Sequence, residues 1–112
     1  MNVGRTFYFD ASHHLPHYKG KCERFHGHTY RLDVEVEGEV GKDGMVLDFS
    51  ELGKIVEENV IEKLDHMNLN DVLKNPSAEN IVEWIWNKLE GKFNLASVRL
   101  YEGRGKWAEK SR

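Results

Sequence analysis

Apolar and polar residues alternate along two stretches of this chain. In the first, Phe7, Phe9, Ala11 and His13 share one parity, against Thr6, Tyr8, Asp10 and Ser12 on the other. In the second, running on from His28, Tyr30, Leu32, Val34 and Val36 are set against Thr29, Arg31, Asp33, Glu35 and Glu37. A period of two predicts half-buried strands. Extended backward, the apolar parity of the second strand takes in both His26 and His28, so two imidazoles leave the core face. His13 points to the same side of the first strand. If the two strands pair antiparallel, which a connection of roughly a dozen residues allows, His13 sits opposite His26 and His28.

Helical spacing follows. After a turn signal at Gly41-Lys42-Asp43-Gly44 and a short apolar piece, Met45-Val46-Leu47, Ser50 is placed to cap a helix carrying Leu52, Ile55, Val56, Val60 and Leu64. Ser77, after Pro76, opens a second helix with Ala78, Ile81, Val82, Ile85 and Leu89 on one face. Both stripes are core-forming faces. Beyond a break at Gly91, Val98, Leu100 and Glu102 alternate with Ser97, Arg99 and Tyr101. The order β, β, α, α, β, β predicts an α+β fold, an antiparallel sheet with two helices on one face, as a single domain over residues 1–112.

Composition excludes several classes. The chain has 112 residues, 39% of them hydrophobic, and a formal charge of −3. Without a basic footprint, nucleic acid is not an expected partner. No apolar run approaches the roughly 20 residues of a membrane span, and the start of the chain lacks a signal-peptide core. A cytoplasmic location is expected. The single cysteine, Cys22, forms no internal disulfide, which suits a reducing compartment and leaves a thiol to account for.

Chemistry concentrates around that thiol. Three histidines in phase on one sheet face, two of them as His26-Gly27-His28, suit zinc. Cys22, four positions before His26, has three readings. It could close a structural site as a fourth ligand, act as a low-pKa thiolate in catalysis, or fill space as a small hydrophobe. Lys19, Lys21, Glu23 and Arg24 favour an exposed loop over the last of these. His14 and His17 fall out of phase or in the loop and read as solvated or substrate-mouth positions. Asp65-His66, just past the first helix, pairs an acid with an imidazole that it can orient, though such pairs also arise by chance. Glu102 shares the inward parity of Val98 and Leu100; such a carboxylate either belongs to a site or reaches water at the strand end.

These residues resemble the 6-pyruvoyltetrahydropterin synthase and 6-carboxytetrahydropterin synthase family along nearly the whole chain. The resemblance rests on Phe9 to His13, Cys22 to His28, Asp48-Phe49, Leu64-Asp65-His66 with Leu69-Asn70, Asn75-Pro76-Ser77-Ala78-Glu79-Asn80, and Tyr101-Glu102. It implies a tunnelling fold (T-fold) whose sheets join between subunits into a barrel, commonly a hexamer of two trimers, with active sites between subunits. It also implies zinc on His13, His26 and His28 with a fourth position open to substrate, and Cys22 as the catalytic thiol with Asp65 and His66 as acid-base partners. By the same resemblance Glu102 grips the pterin, and Ser77, Ala78 and Glu79 lie near its pocket.

The implied reaction converts 7,8-dihydroneopterin triphosphate to 6-carboxytetrahydropterin, releasing acetaldehyde and triphosphate, as in 7-deazaguanine and queuosine-type biosynthesis. Three residues between Cys22 and His26 resemble the microbial carboxy-forming enzymes more than the animal pyruvoyl enzymes. The pyruvoyl reaction, side-chain cleavage to 6-hydroxymethyldihydropterin and a non-catalytic zinc module with Cys22 as ligand are the alternatives. Gly103, where many relatives carry threonine, and the tail 104–112 depart from the family pattern.

Overall fold

The computed structural model describes residues 1–16 and 26–112, so His17 and Cys22 lie outside the described residues. Strands β1 (Asn2–His13) and β2 (His26–Glu37) pair antiparallel over their whole length. His13 faces His26, within the expected antiparallel pairing, and Ala11 faces His28. The alternation is realised: Phe7, Phe9, Ala11, His13, Tyr30, Leu32, Val34 and Val36 are buried, whereas Thr6, Tyr8, Asp10, Thr29 and Arg31 are exposed.

The first helix starts differently from expectation. α1 (Phe49–Val56) is capped by Asp48, whose carboxylate accepts from the Ser50 amide at 2.8 Å, so Ser50 lies inside the helix. Both residues are cap formers; Asp48 holds the extended backbone that a cap requires. Asp48→Ala is therefore expected to cost about 0.5–2 kcal/mol in urea unfolding and Ser50→Ala much less; equal effects would reverse the assignment. α1 runs through a π-helical turn, Glu57–Ile61, into α2 (Glu62–Leu64). The π turn accounts for the spacing of the stripe. Leu52, Val56, Val60 and Leu64, each four apart, are all fully buried, yet on a regular α-helix twelve residues drift by about 120°. One wider turn takes back part of that rotation.

The stretch after Asp65-His66, expected to be a loop, instead forms a two-residue strand and a 3₁₀ turn. β3 (Met67–Asn68) runs parallel to β1, opposite Ala11 and Ser12, and the turn covers Leu69–Asp71. α3 (Ala78–Leu89) begins as expected at Ser77, whose hydroxyl accepts from the Asn80 amide at 3.2 Å. β4 (Leu95–Glu102) pairs with β2, and β5 (Trp107–Ser111) with β4. A bulge at Glu35/Val36 lets Leu95 and Val98, three apart, both face the core.

The strand order is β3-β1-β2-β4-β5. Both helical segments pack on one face and enclose a single apolar core from Phe7 to Leu100. On the other face Arg31 stands over Tyr101 (4.9 Å) and Arg99 over Trp107 (4.1 Å), with Tyr8 and Trp107 exposed. Among the described residues, no helix is long and apolar enough to cross a membrane.

Candidate metal centre and adjoining cleft

Strand phase and register converge at one end of the sheet. His13 closes β1, His26 and His28 open β2, and Glu102 closes β4 opposite Tyr30. Their ligand atoms all lie within 4.8 Å of one another. His13 Nε2 is 3.1 Å from His26 Nε2 and 3.9 Å from Glu102 Oε1, and His28 Nε2 is 3.0 Å from the same oxygen.

The chemistry of the donors fits a cation. His13 is 1% exposed, and its Nδ1 lies 2.7 Å from the Pro76 carbonyl. A carbonyl only accepts, so Nδ1 carries the proton and Nε2 offers a lone pair to the cluster. Holding the far nitrogen of a ligating imidazole in this way is how protein metal sites fix its tautomer. The Nε2 of His28 is sealed from solvent without an aligned hydrogen-bond partner among the described residues. Burial holds His28 below the ordinary imidazole value; Glu102 opposes that shift, and His13, His26 and Lys106 reinforce it. The neutral form that binds metal is thereby favoured. In a tetrahedral zinc site with Zn–N bonds of about 2.0–2.1 Å, neighbouring donors stand roughly 3.3 Å apart, close to the separations found here. Tyr30 floors the cluster, fully buried, stacked on Phe9 at 5.0 Å, with burial and then Glu102 pushing its hydroxyl above the phenol range.

A second constellation lies across the sheet edge. Asp65 Oδ1 accepts from the Asp10 amide and from His66 Nδ1, both at 3.0 Å. His66 adopts a left-handed backbone, φ 59°, and its amide donates to the Asp10 carbonyl at 2.6 Å. Asp10 in turn accepts from the Thr29 hydroxyl at 2.6 Å. A non-glycine residue in this conformation persists only where its surroundings hold it, and such residues gather at functional sites. The His66 side chain is 79% exposed. A cleft of about 510 Å³ joins the two constellations, lined by Asp10, Ser12, Thr29, Met67, His28 and His66 among others.

The Asp10 amide is the main cause holding the Asp65 carboxyl below its usual value; partial burial opposes it and His66 adds to it. The sign follows from the folded value lying below the unfolded one of about 3.9: the stabilisation is present above that value and fades as pH falls through the folded one. A carboxyl NMR titration of Asp65 is expected to show a midpoint below about 3.9. A midpoint at or above it would mean that the Asp10 contact does not form in solution.

The structure thus brings His13, His26, His28 and Glu102 together, and separately Asp65 with His66. Ser77 caps α3 beside Pro76, Ala78 is half-buried and Glu79 is exposed. His14 is half-buried, not solvated, and its backbone pairs with the Asn70 side chain in both directions, at 2.9 and 3.0 Å. The sequence reading missed Asp10 and Pro76. Asp10 carries a weak signal, a carboxylate on the polar face three residues before His13; a backbone carbonyl such as that of Pro76 carries none.

A Synechocystis protein named 6-carboxy-5,6,7,8-tetrahydropterin synthase is 43% identical over 109 residues, 89% of this chain and 84% of its own. A Pyrococcus furiosus protein named dihydroneopterin monophosphate aldolase is 43% identical over 99 residues, 85% of this chain and 83% of its own. The solved structure of Caenorhabditis elegans 6-pyruvoyl tetrahydropterin synthase superposes with a TM-score of 0.90 at 25% identity, covering 100% of this chain and 95% of that one. The family described as 6-pyruvoyl tetrahydropterin synthase matches residues 2–112, and the chain belongs to that family.

Proposed function

We propose that this chain is a 6-carboxy-5,6,7,8-tetrahydropterin synthase, a zinc-dependent lyase acting on 7,8-dihydroneopterin triphosphate and releasing acetaldehyde and triphosphate. The observation that carries this reading is the set of three imidazoles, His13 buried and His26 and His28 half-buried, opening through His28 on a cleft that His66 also lines. His13, His26 and His28 would hold the zinc, which when bound supplies Lewis acidity toward the oxygens of the substrate side chain.

The protein's own groups do the rest. Asp65, kept ionised by the Asp10 amide, orients His66, and His66 moves one proton at the side chain. Cys22, by its place before His26 in the sequence, takes the other. Glu102 presents two oxygens to the amino group and adjacent N–H of a pterin ring, with Ser77, Ala78 and Glu79 beside the pocket. Incubation with dihydroneopterin triphosphate and mass spectrometry of the products tests the reading: 6-carboxytetrahydropterin with acetaldehyde supports it.

A second reading has its own support, since the similar Pyrococcus furiosus protein is named an aldolase. Side-chain cleavage to 6-hydroxymethyldihydropterin in the same assay would replace the first reading with this one, and triphosphate release without acetaldehyde would favour the pyruvoyl reaction. Glu102, placed 3.0 Å from His28 Nε2, could serve the metal as well as the pterin. Glu102→Gln is expected to raise KM by about 10–100-fold, the worth of a hydrogen bond to a charged group, with zinc content unchanged. Loss of zinc in that variant would reassign the carboxylate to the metal.

The assembly proposed is a homo-hexamer of two trimers, working in the cytoplasm, with active sites between subunits. Its support is the sheet face left uncovered by helices, the exposed Tyr8 and Trp107 on it, and the free edge of β5. Light scattering on the eluted protein checks the subunit count.

A further inference from the structure

The segment Asn75 to Asn80 does more than cap α3. Pro76 is buried, and its carbonyl is the hydrogen-bond acceptor of His13 Nδ1 at 2.7 Å. The direction of that carbonyl is set by two rotations. The pyrrolidine ring fixes one. The other is fixed by a hydrogen bond across the proline, from the Ser77 amide to the Asn75 carbonyl at 2.9 Å, a three-residue turn. The same Asn75 carbonyl accepts a second donor, Asn80 Nδ2, at 2.8 Å. Asn80 sits in the first turn of α3, where its own amide is held by the Ser77 hydroxyl. A chain of contacts therefore runs from Asn80 through the Asn75–Ser77 turn to the protonated nitrogen of His13, leaving Nε2 aimed at His26 and Glu102.

We infer that Asn80 is a positioning residue for the metal centre, acting through the Pro76 carbonyl to fix the tautomer and aim of His13. This rests on the reading of His13, His26 and His28 as metal ligands and adds a residue that touches neither metal nor substrate. The alternative is that Asn80 only stabilises the start of α3. Asn80→Asp separates the two, because it keeps the shape of the side chain, removes the donor, and places a negative charge where a helix start tolerates it well.

The test measures zinc affinity by competition with a chromophoric chelator, and the ¹⁵N shifts of His13 in metal-free protein at a pH where imidazole is neutral. Asn80→Asp is expected to keep the wild-type Tm, lose about tenfold in zinc affinity, as partners behind a ligand commonly do, and lose the pure Nδ1–H signature of His13. Leu89→Ala, a buried position at the far end of α3, is expected to lower Tm and leave affinity and tautomer unchanged. Wild-type affinity in Asn80→Asp overturns the inference while leaving the metal reading intact. So does a loss of affinity without a change in the His13 signature, or an affinity that merely follows Tm in both variants. A wild-type protein that takes up no zinc overturns the metal reading and the inference together.

Discussion

Replacing Cys22 by alanine is expected to cut turnover of dihydroneopterin triphosphate by about 10²–10⁴-fold, the usual worth of a positioned proton-transfer group, while zinc content stays at the wild-type level. The two halves of this result come from different parts of the molecule. Zinc retention follows from the donor set, because among the described residues β1, β2 and β4 already gather three imidazoles and a carboxylate. Loss of turnover follows from the proposed role of the thiol, which has no substitute among the described groups lining the cleft: His66 and Asp10 are there, but the chain has no second cysteine. Full activity in Cys22→Ala would sink the proton-transfer role. Loss of zinc and of stability would instead make the site a closed one with cysteine as its fourth ligand.

The second large effect belongs to His28. In His28→Ala the metal-dependent part of stability is expected to vanish together with activity. For the wild type, free zinc at a hundred times its dissociation constant adds about 2.7 kcal/mol by mass action, which appears as a rise in Tm that a chelator reverses. The variant is expected to show no such response. Its zinc-free stability should stay near that of the zinc-free wild type, since His28 is half-buried at the rim and its Nε2 lacks an aligned hydrogen-bond partner among the described residues. A variant whose Tm still climbs with zinc as the wild type does would place the cation elsewhere.

Much of this site was legible from alternation. Phe7 to His13 and His26 to Val36 carry a period of two without a break, so the core face of each strand, and with it the side to which three imidazoles point, followed from parity. What alternation cannot supply is the meeting of distant strands. Glu102 reaches the histidines because β4 aligns it with Tyr30, a register set by packing across more than seventy intervening residues. Parity left Glu102 equally able to reach water. Asp48 and Ser50 show a different limit: both side chains can cap, and only the backbone conformation decides. The π turn in the first helix was written in the sequence as apolar residues every fourth position, a spacing easily read as ordinary helix. The Met67–Asn68 strand left no such mark, because two residues are too few to show a period.

Pairing His13 directly against His26 brings the connection between β1 and β2 back to its own starting point. The entropy of closing a loop grows only with the logarithm of its length, about 0.6 kcal/mol for each doubling. Residues can therefore be added to or taken from that connection, the stretch holding Cys22, at small thermodynamic expense and without displacing His13, His26 or His28. One residue inserted within either strand would do the opposite, turning every side chain beyond it to the other face. The described fold thus makes the paired histidines a fixed frame, while the length of chain that joins them is left free to vary.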